Sequence, residues 1–180
     1  NDAFYRAAFQ PQSGQMPRLG DLMRATKNNS FSGVFNRNFT LLGDPSLRLN
    51  YPDYQAAIST ADTLKAGRLV KFSGEIQQAE QLVVDFSGTA TVTVYDKENQ
   101  QTTLGNEGAK MNYGEYKSKL FEGQVSVKQG KFTVQFVVPK NIDPKVGNGL
   151  VQVYAVRADS LADAAGGNNQ IVVGGTEQLS

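Results

Sequence analysis

The 180-residue chain has no cysteine, no histidine and no tryptophan. These absences exclude disulfides, thiolate nucleophiles, imidazole bases and Cys/His zinc sites. An intrinsic catalyst would need a carboxylate or lysine mechanism, and no pair of carboxylates has a spacing that singles it out for acid–base work. No apolar run approaches the roughly 20 residues needed to cross a bilayer as a helix, and no signal-peptide pattern opens the chain. An excess of one charge is also missing. Eighteen Lys and Arg face 17 Asp and Glu, a net charge of +1. No overall field therefore draws in nucleic acid or a membrane surface, and neither is expected as a partner. The first 50 residues carry six basic against three acidic side chains. Arg18, Arg24, Arg37 and Arg48 are not contiguous, and a solvated surface accounts for them.

What is present is ordinary for a chain with one moderate core: 39% hydrophobic residues and a mean hydropathy of −0.38. The length suits one domain, or one domain with an attachment. A start at Asn1 rather than Met suggests a piece of something longer.

The chain changes character around Phe39–Leu49. Before it, helical spacing dominates. Asp2 is placed to cap a short helix through Phe4, Ala7 and Ala8, broken by Pro11, Ser13 and Gly14. Pro17 suits a first helical position, followed by an apolar stripe of Leu19, Leu22, Met23 and Thr26 and a stop at Lys27-Asn28-Asn29. Ser30–Asn38 reads as a polar loop. Within FTLLGDPSLRL, Phe39–Leu42 and Ser46–Leu49 read as two short strands. Gly43-Asp44-Pro45 forms a turn between them, combining a permissive φ, a backbone-bonding carboxylate and a fixed φ. Two helices and a strand are too few to make a core alone. Phe4, Phe9, Leu19, Leu22, Met23, Phe31 and Phe35 are therefore expected to dock on another surface, either the following domain or a second copy.

From Tyr51 onward the period is two. Strands are expected over Gln55–Thr60, Leu69–Gln77, Thr89–Tyr95, Leu120–Lys128, Lys131–Val138, Gly149–Ala158 and Gln170–Val173. Lys128-Gln-Gly-Lys131 has the composition of a tight hairpin turn. Alternating strands of this length imply two antiparallel sheets packed face to face, an immunoglobulin-like β-sandwich without the disulfide and buried Trp of antibody domains. Two connections are long, Asp96–Lys117 and Lys140–Asn148. Loops at one end of a sandwich are where binding surfaces form.

FTLLGDPSLRL resembles the strand that closes the catalytic domain of gingipain-type cysteine peptidases and leads into an immunoglobulin-like domain. NDAFYRAAF and RLGDLMRATKNN resemble the last two helices of that catalytic domain. TLKAGRLVKFSGEI, TVTVYDK, LFEGQVSVKQGKFTVQFVVPKNI and the closing VGG follow in the order found in one branch, the cell-surface sortase of the type IX secretion system. The resemblance implies a mainly β fold preceded by two helices and a strand from an α/β caspase-like domain. It divides the chain into residues 1–50 (catalytic-domain remnant), 51–175 (sandwich) and 176–180 (tail). The family works with a catalytic His and Cys, and neither has a counterpart here. The chain is therefore expected to be catalytically inert, with no catalytic, cofactor-binding or metal residue assigned and no cofactor. Its implied role is structural support or partner binding within a peptidase that processes the C-terminal sorting signals of secreted cargo. The implied partners are the upstream catalytic domain of the same protein and secretion-system components or cargo, at a bacterial cell surface. The alternative is a carbohydrate-binding or adhesin-type sandwich.

Candidate ligand sites are few. Tyr95, Tyr113, Tyr116 and Tyr154 would form a sugar-stacking face if they projected from one sheet, although half-buried packing explains them as well. Asp96, Glu98, Asn99, Asn106 and Glu107, or Asn141 with Asp143, or Asp159 with Asp163, offer oxygen ligands for calcium, but without the loop spacing of a known calcium motif. Polar turn chemistry is the simpler reading. Gly147-Asn-Gly149, Gly166-Gly167 and Gly174-Gly175 lack phosphate-loop context and read as turn residues.

Overall fold

A computed structural model describes residues 2–11, 15–30, 33–59, 63–106 and 108–175. The chain forms two compact units, residues 1–51 and Pro52–Ser180.

The first unit holds α1 (Asp2–Ala8), α2 (Leu19–Asn29) and a single turn, α3 (Val34–Arg37). Ala8, Pro17 and Leu22 are buried, whereas Tyr5, Phe9, Val34, Phe39 and Leu42 are exposed. Four local expectations need correction. Asp2 lies inside α1, where its carboxylate pairs with Arg6 one turn on at 2.8 Å, so it does not cap the helix. Pro17 precedes α2 by two residues, because the helix starts where acceptors for its first N–H groups lie. Leu19 N–H donates to Leu47 O at 2.8 Å and Gly20 N–H to Pro45 O at 3.0 Å. Neither Phe39–Leu42 nor Ser46–Leu49 forms a strand. A strand needs a neighbour to pair with, and the described residues supply only an isolated bridge between Arg18 and Arg48. The Ser30–Asn38 loop contains α3, and Phe31 lies outside the described residues.

The Gly-Asp-Pro segment thus acts as a cap, not as a link between strands. Asp44 Oδ1 accepts from Ser46 N–H at 2.8 Å and Leu47 N–H donates to Asp44 O at 3.3 Å, closing a tight turn around Pro45. That turn presents the Pro45 and Leu47 carbonyls to two helix N–H groups that lack intrahelical partners. A Cβ on Gly20 would sit 2.9 Å from Pro45 Cβ, so glycine is what lets the turn come this close. The bond from Ser46 N–H, followed by one from the Ser46 hydroxyl, holds the Asp44 carboxyl below its ordinary value. For a depressed carboxylate the stabilisation is present above the unfolded value, about 4. It is lost as pH falls through the lower native value. The Ser46 amide resonance should therefore titrate with a midpoint below about 4, and Asp44→Asn should keep the turn while abolishing the titration. A midpoint at or above the unfolded value would refute the assignment.

The second unit is a single curled sheet of β1 (Tyr54–Ile58), β2 (Leu69–Gln78), β3 (Gln81–Leu82), β4 (Gly88–Tyr95), β7 (Lys119–Val127), β8 (Lys131–Val137), β9 (Gly147–Arg157) and β10 (Asp163–Val173). A separate two-stranded arm is formed by β5 (Asn99–Thr102) and β6 (Asn112–Glu115). Along the sheet the order is β3-β2-β1-β10-β9-β4-β7, and β8 pairs with β2 on the side away from β1. One layer is β8–β2–β1 and the other is β10–β9–β4–β7. They join through a short parallel pairing of Tyr54 with Ala164 and Gln55 with Ala165. At the far side the layers meet through Phe121 of β7 and Phe136 of β8, stacked with ring centroids 4.7 Å apart.

Period-two alternation fills the space between the layers. Val70, Phe72 and Ile76 of β2, Phe132, Val134 and Phe136 of β8, Ala90, Val92 and Val94 of β4, and Val151, Val153 and Ala155 of β9 are all buried. Their strand neighbours face outward, since successive side chains of a strand point to opposite sides. Phe86, fully buried, meets Tyr54 edge-on at 5.9 Å. The mainly β sandwich expected from the pattern is present. The expected hairpin turn is present too, with Gln129 at φ 50° and Gly130 at φ 77° and paired bonds between Lys128 and Lys131. Its two strands do not continue as a hairpin, because β7 goes to one layer and β8 to the other.

Three expectations fell short. The last strand begins at Asp163, seven residues before the expected start at Gln170. Asp96–Lys117, read as a loop, contains the β5–β6 arm. Two of the glycine pairs are also strand residues: Gly147 and Gly149 open β9, and Gly166-Gly167 lies within β10. Only Gly174-Gly175 lies outside the strands, with both residues at positive φ (115° and 86°). No helix among the described residues is long and apolar enough to cross a membrane.

Candidate functional site

Six segments of the second unit converge at one end of the sandwich: the exit of β4, the base of the β5–β6 arm, the start of β7, the loop after β8, the start of β9 and the bulged part of β10. They surround a concavity of about 1040 Å³. The bulge follows from sequence. Pairing of β10 with β9 shifts between Asn168 and Ile171, where Asn168 Oδ1 accepts from Gln170 N–H at 2.9 Å, and the residue between them, Asn169, lines the concavity.

The central fixture is Lys97. Its ammonium donates to Asp96 Oδ1 at 2.8 Å and to the Asp143 carbonyl at 3.0 Å, while its own N–H also donates to Asp96 Oδ1 at 2.8 Å. Both side chains of this pair are nearly buried. Asp96 N–H donates to Ser118 O at 2.8 Å, tying the exit of β4 to the start of β7. Asp143 Oδ1 accepts from Lys145 N–H at 2.9 Å and shapes the 139–147 loop.

The structure thus gathers five of the proposed calcium ligands, Asp96, Glu98, Asn99, Asn141 and Asp143, around one concavity. An ammonium already occupies the position between Asp96 and the Asp143 carbonyl, and both carboxylates are bonded within the protein. No group of three acidic side chains among the described residues is arranged to hold a metal ion. Asn106 sits in the arm connection outside the concavity, and Glu107 lies outside the described residues. Asp159 and Asp163 serve separate bonds. Asp159 accepts from Arg157 Nε at 3.0 and 3.1 Å, which with Leu161 N–H lowers its pKa, and Asp163 accepts from Tyr154 OH at 2.9 Å. The bond to Asp163 raises the pKa of Tyr154.

The four tyrosines are not one platform. Tyr95 and Tyr116 have ring centroids 6.5 Å apart at 57°, and Tyr116 lines the concavity. Tyr154 lies on the same outer face as Tyr95, but its β4 neighbour is Thr91. Four residues along a strand place it about 13 Å away. Tyr113 is half exposed on the β5–β6 arm. Other lining residues, Gln100, Asn148 and Asn169 among them, went unnoticed in the sequence. They are spread over 70 positions and share no local motif; their only signal was an abundance of carboxamides in turn-like stretches.

Residues 1–50 match the family model described as peptidase family C25. No curated protein matches the chain significantly. Among solved structures, dimeric latent PorU from Porphyromonas gingivalis aligns over 97% of this chain at 25% identity with a TM-score of 0.64. The chain spans 18% of that protein's length. The sporulation control protein Spo0M from Bacillus subtilis aligns over 67% of this chain and 49% of its own at 11% identity and a TM-score of 0.36. A superoxide reductase (neelaredoxin) from Ignicoccus hospitalis aligns over 67% and 80% at 9% identity and 0.34. Likeness at the level of these last two carries no functional argument. The family match over the first unit and the PorU alignment across both units relate this chain to the gingipain-type C25 cysteine peptidases, as a PorU-like segment.

Proposed function

We propose that the chain is the non-catalytic part of a gingipain-like cysteine peptidase that processes the C-terminal sorting signals of secreted cargo. In this role it supports the catalytic domain and offers a face to cargo or secretion partners at the bacterial cell surface. The observation that carries the reading is continuity. One solved relative contains counterparts of both units, in the same order and over nearly the whole chain. The family's His and Cys have no possible counterpart in these 180 residues, so the nucleophile belongs elsewhere in the complete protein.

The chemistry of this segment is accordingly mechanical. The turn at Asp44–Leu47 fixes the start of α2 within the first unit. In the second, the reciprocal bonds of Asp53 N–H to Asp163 Oδ1 (3.1 Å) and Asp163 N–H to Asp53 Oδ2 (3.2 Å) fix where β1 meets β10.

The test uses a cysteine-directed electrophilic probe and a sorting-signal peptide substrate. The full-length protein should be labelled and should cleave the peptide, while the 180-residue chain should do neither. Cleavage by the 180-residue chain, or a full-length protein that cleaves nothing and takes no label, would overturn the proposal.

A further inference from the structure

The concavity at the sandwich end holds an unusual surplus of hydrogen-bonding capacity. Asn99, Asn141, Asn148 and Asn169 all line it, and among the described residues none of their carboxamides bonds to another protein group. Gln100 joins them, held only by a 3.5 Å contact to Glu98. An isolated exposed Asn is ordinarily solvated. Here the carboxamides come from four separate segments, the β5 strand, the 139–147 loop, the β9 start and the β10 bulge, and share one concavity with the half-buried ring of Tyr116.

The charged neighbours behave differently. Lys97 is spent on Asp96 and the Asp143 carbonyl, Lys119 on Glu122, and Asp143 on Lys145 N–H. Lysines and carboxylates line the space in equal number, so it has no net attraction for an anion or a cation. Apart from the Lys145 ammonium and the Glu98 carboxylate, one charge of each sign, what stays available is neutral: donor pairs, acceptor lone pairs and an aromatic ring.

We infer that this concavity is a binding site for a neutral saccharide of a few residues. Each carboxamide offers two donors and an acceptor, which matches adjacent hydroxyls, and each hydroxyl both donates and accepts. Tyr116 offers a flat amphipathic surface for the apolar face of a pyranose ring. The volume is just above the usual range for small-molecule sites, large enough for more than one sugar ring. An extended peptide is the competing ligand. Peptides recognised by sandwiches mostly add to a sheet edge through main-chain bonds, whereas the surplus here lies in side chains. The inference does not depend on the peptidase relationship and can fail without affecting it.

The experiment titrates the 15N-labelled 180-residue chain with tri-N-acetylchitotriose, mannotriose, cellotriose and maltotriose, and separately with an acetylated and amidated trialanine. At least one trisaccharide should shift the side-chain NH2 resonances of Asn99, Asn141, Asn148 and Asn169, and the trialanine should not. Asn141→Ala and Asn148→Ala should each weaken that binding by about three- to tenfold, the effect of one hydrogen bond. Tyr116→Ala should weaken it at least as much, and Tyr113→Ala, outside the concavity, should leave it unchanged. Unmoved resonances with all four sugars, shifts confined to other parts of the chain, or a response to the trialanine alone would each overturn the inference. The NH2 readout on the unaltered chain keeps the test valid even if a variant folds poorly.

Discussion

Gly166→Ala should destabilise the second unit by about 3 kcal/mol or more, enough to remove much of the stability of a typical domain. Gly166 lies within β10 just past the parallel pairing with β1, and a Cβ there would fall on the Ala56 carbonyl oxygen. The obstruction is backbone, so no rotamer change relieves it. Either β1 moves away or β10 shifts, and both disrupt the pairing that joins the two layers. The penalty should also be specific to this site. At the neighbouring Gly167 the nearest atom to an added Cβ is the Val151 carbonyl at 3.4 Å, a contact the strand can absorb. Urea unfolding followed by circular dichroism separates the outcomes. A large fall in midpoint for Gly166→Ala with a small one for Gly167→Ala is expected, and equal effects would remove the steric explanation.

Phe86→Ala should cost about 3–5 kcal/mol, the usual range for deleting a buried aromatic side chain. Phe86 is fully buried, follows the short β3 segment and meets the Tyr54 ring edge-on at 5.9 Å. Its backbone carbonyl accepts from Gly130 N–H at 2.7 Å, and Gly130 O in turn accepts from Ile76 N–H at 2.7 Å. The ring therefore fills the core beneath a short relay of backbone bonds reaching the Lys128–Lys131 turn. Its loss leaves a cavity that this backbone resists closing. Phe86→Leu should recover more than half of the loss in the same unfolding assay, while an alanine variant as stable as the parent would show that the core collapses freely there.

The sequence made most of the sandwich legible because alternation is a local signal. Val70, Phe72 and Ile76, or Phe132, Val134 and Phe136, reveal their face without knowledge of their partners. The Gln129-Gly130 turn was equally local. The first half of β10 was hidden because Ala-Ala-Gly-Gly-Asn-Asn has the composition of a turn. Its strand conformation comes from close packing against β1 and β9, which depends on residues 110 positions away. Phe39–Leu42 failed in the opposite direction. Its composition favours a strand, but composition supplies no partner. The concavity was half legible: Asp96, Glu98, Asn99, Asn141, Asp143 and Tyr116 were noticed singly. That they share one concavity, and that three lysines offset the three carboxylates lining it, follows only from the meeting of six segments.

The parallel pairing of β1 with β10 also governs when the second unit comes into being. Its first strand is bonded to β2 on one side and to its last strand on the other. During synthesis β1 and β2 emerge first with one flank of β1 unsatisfied, β8 joins β2 only after β4 and β7 have been made, and no strand pairing links the two layers until β10 arrives. Closing a loop of this length is slow and leaves strand edges open in the meantime. The backbone pairing that joins the two layers therefore dates from the last strand made.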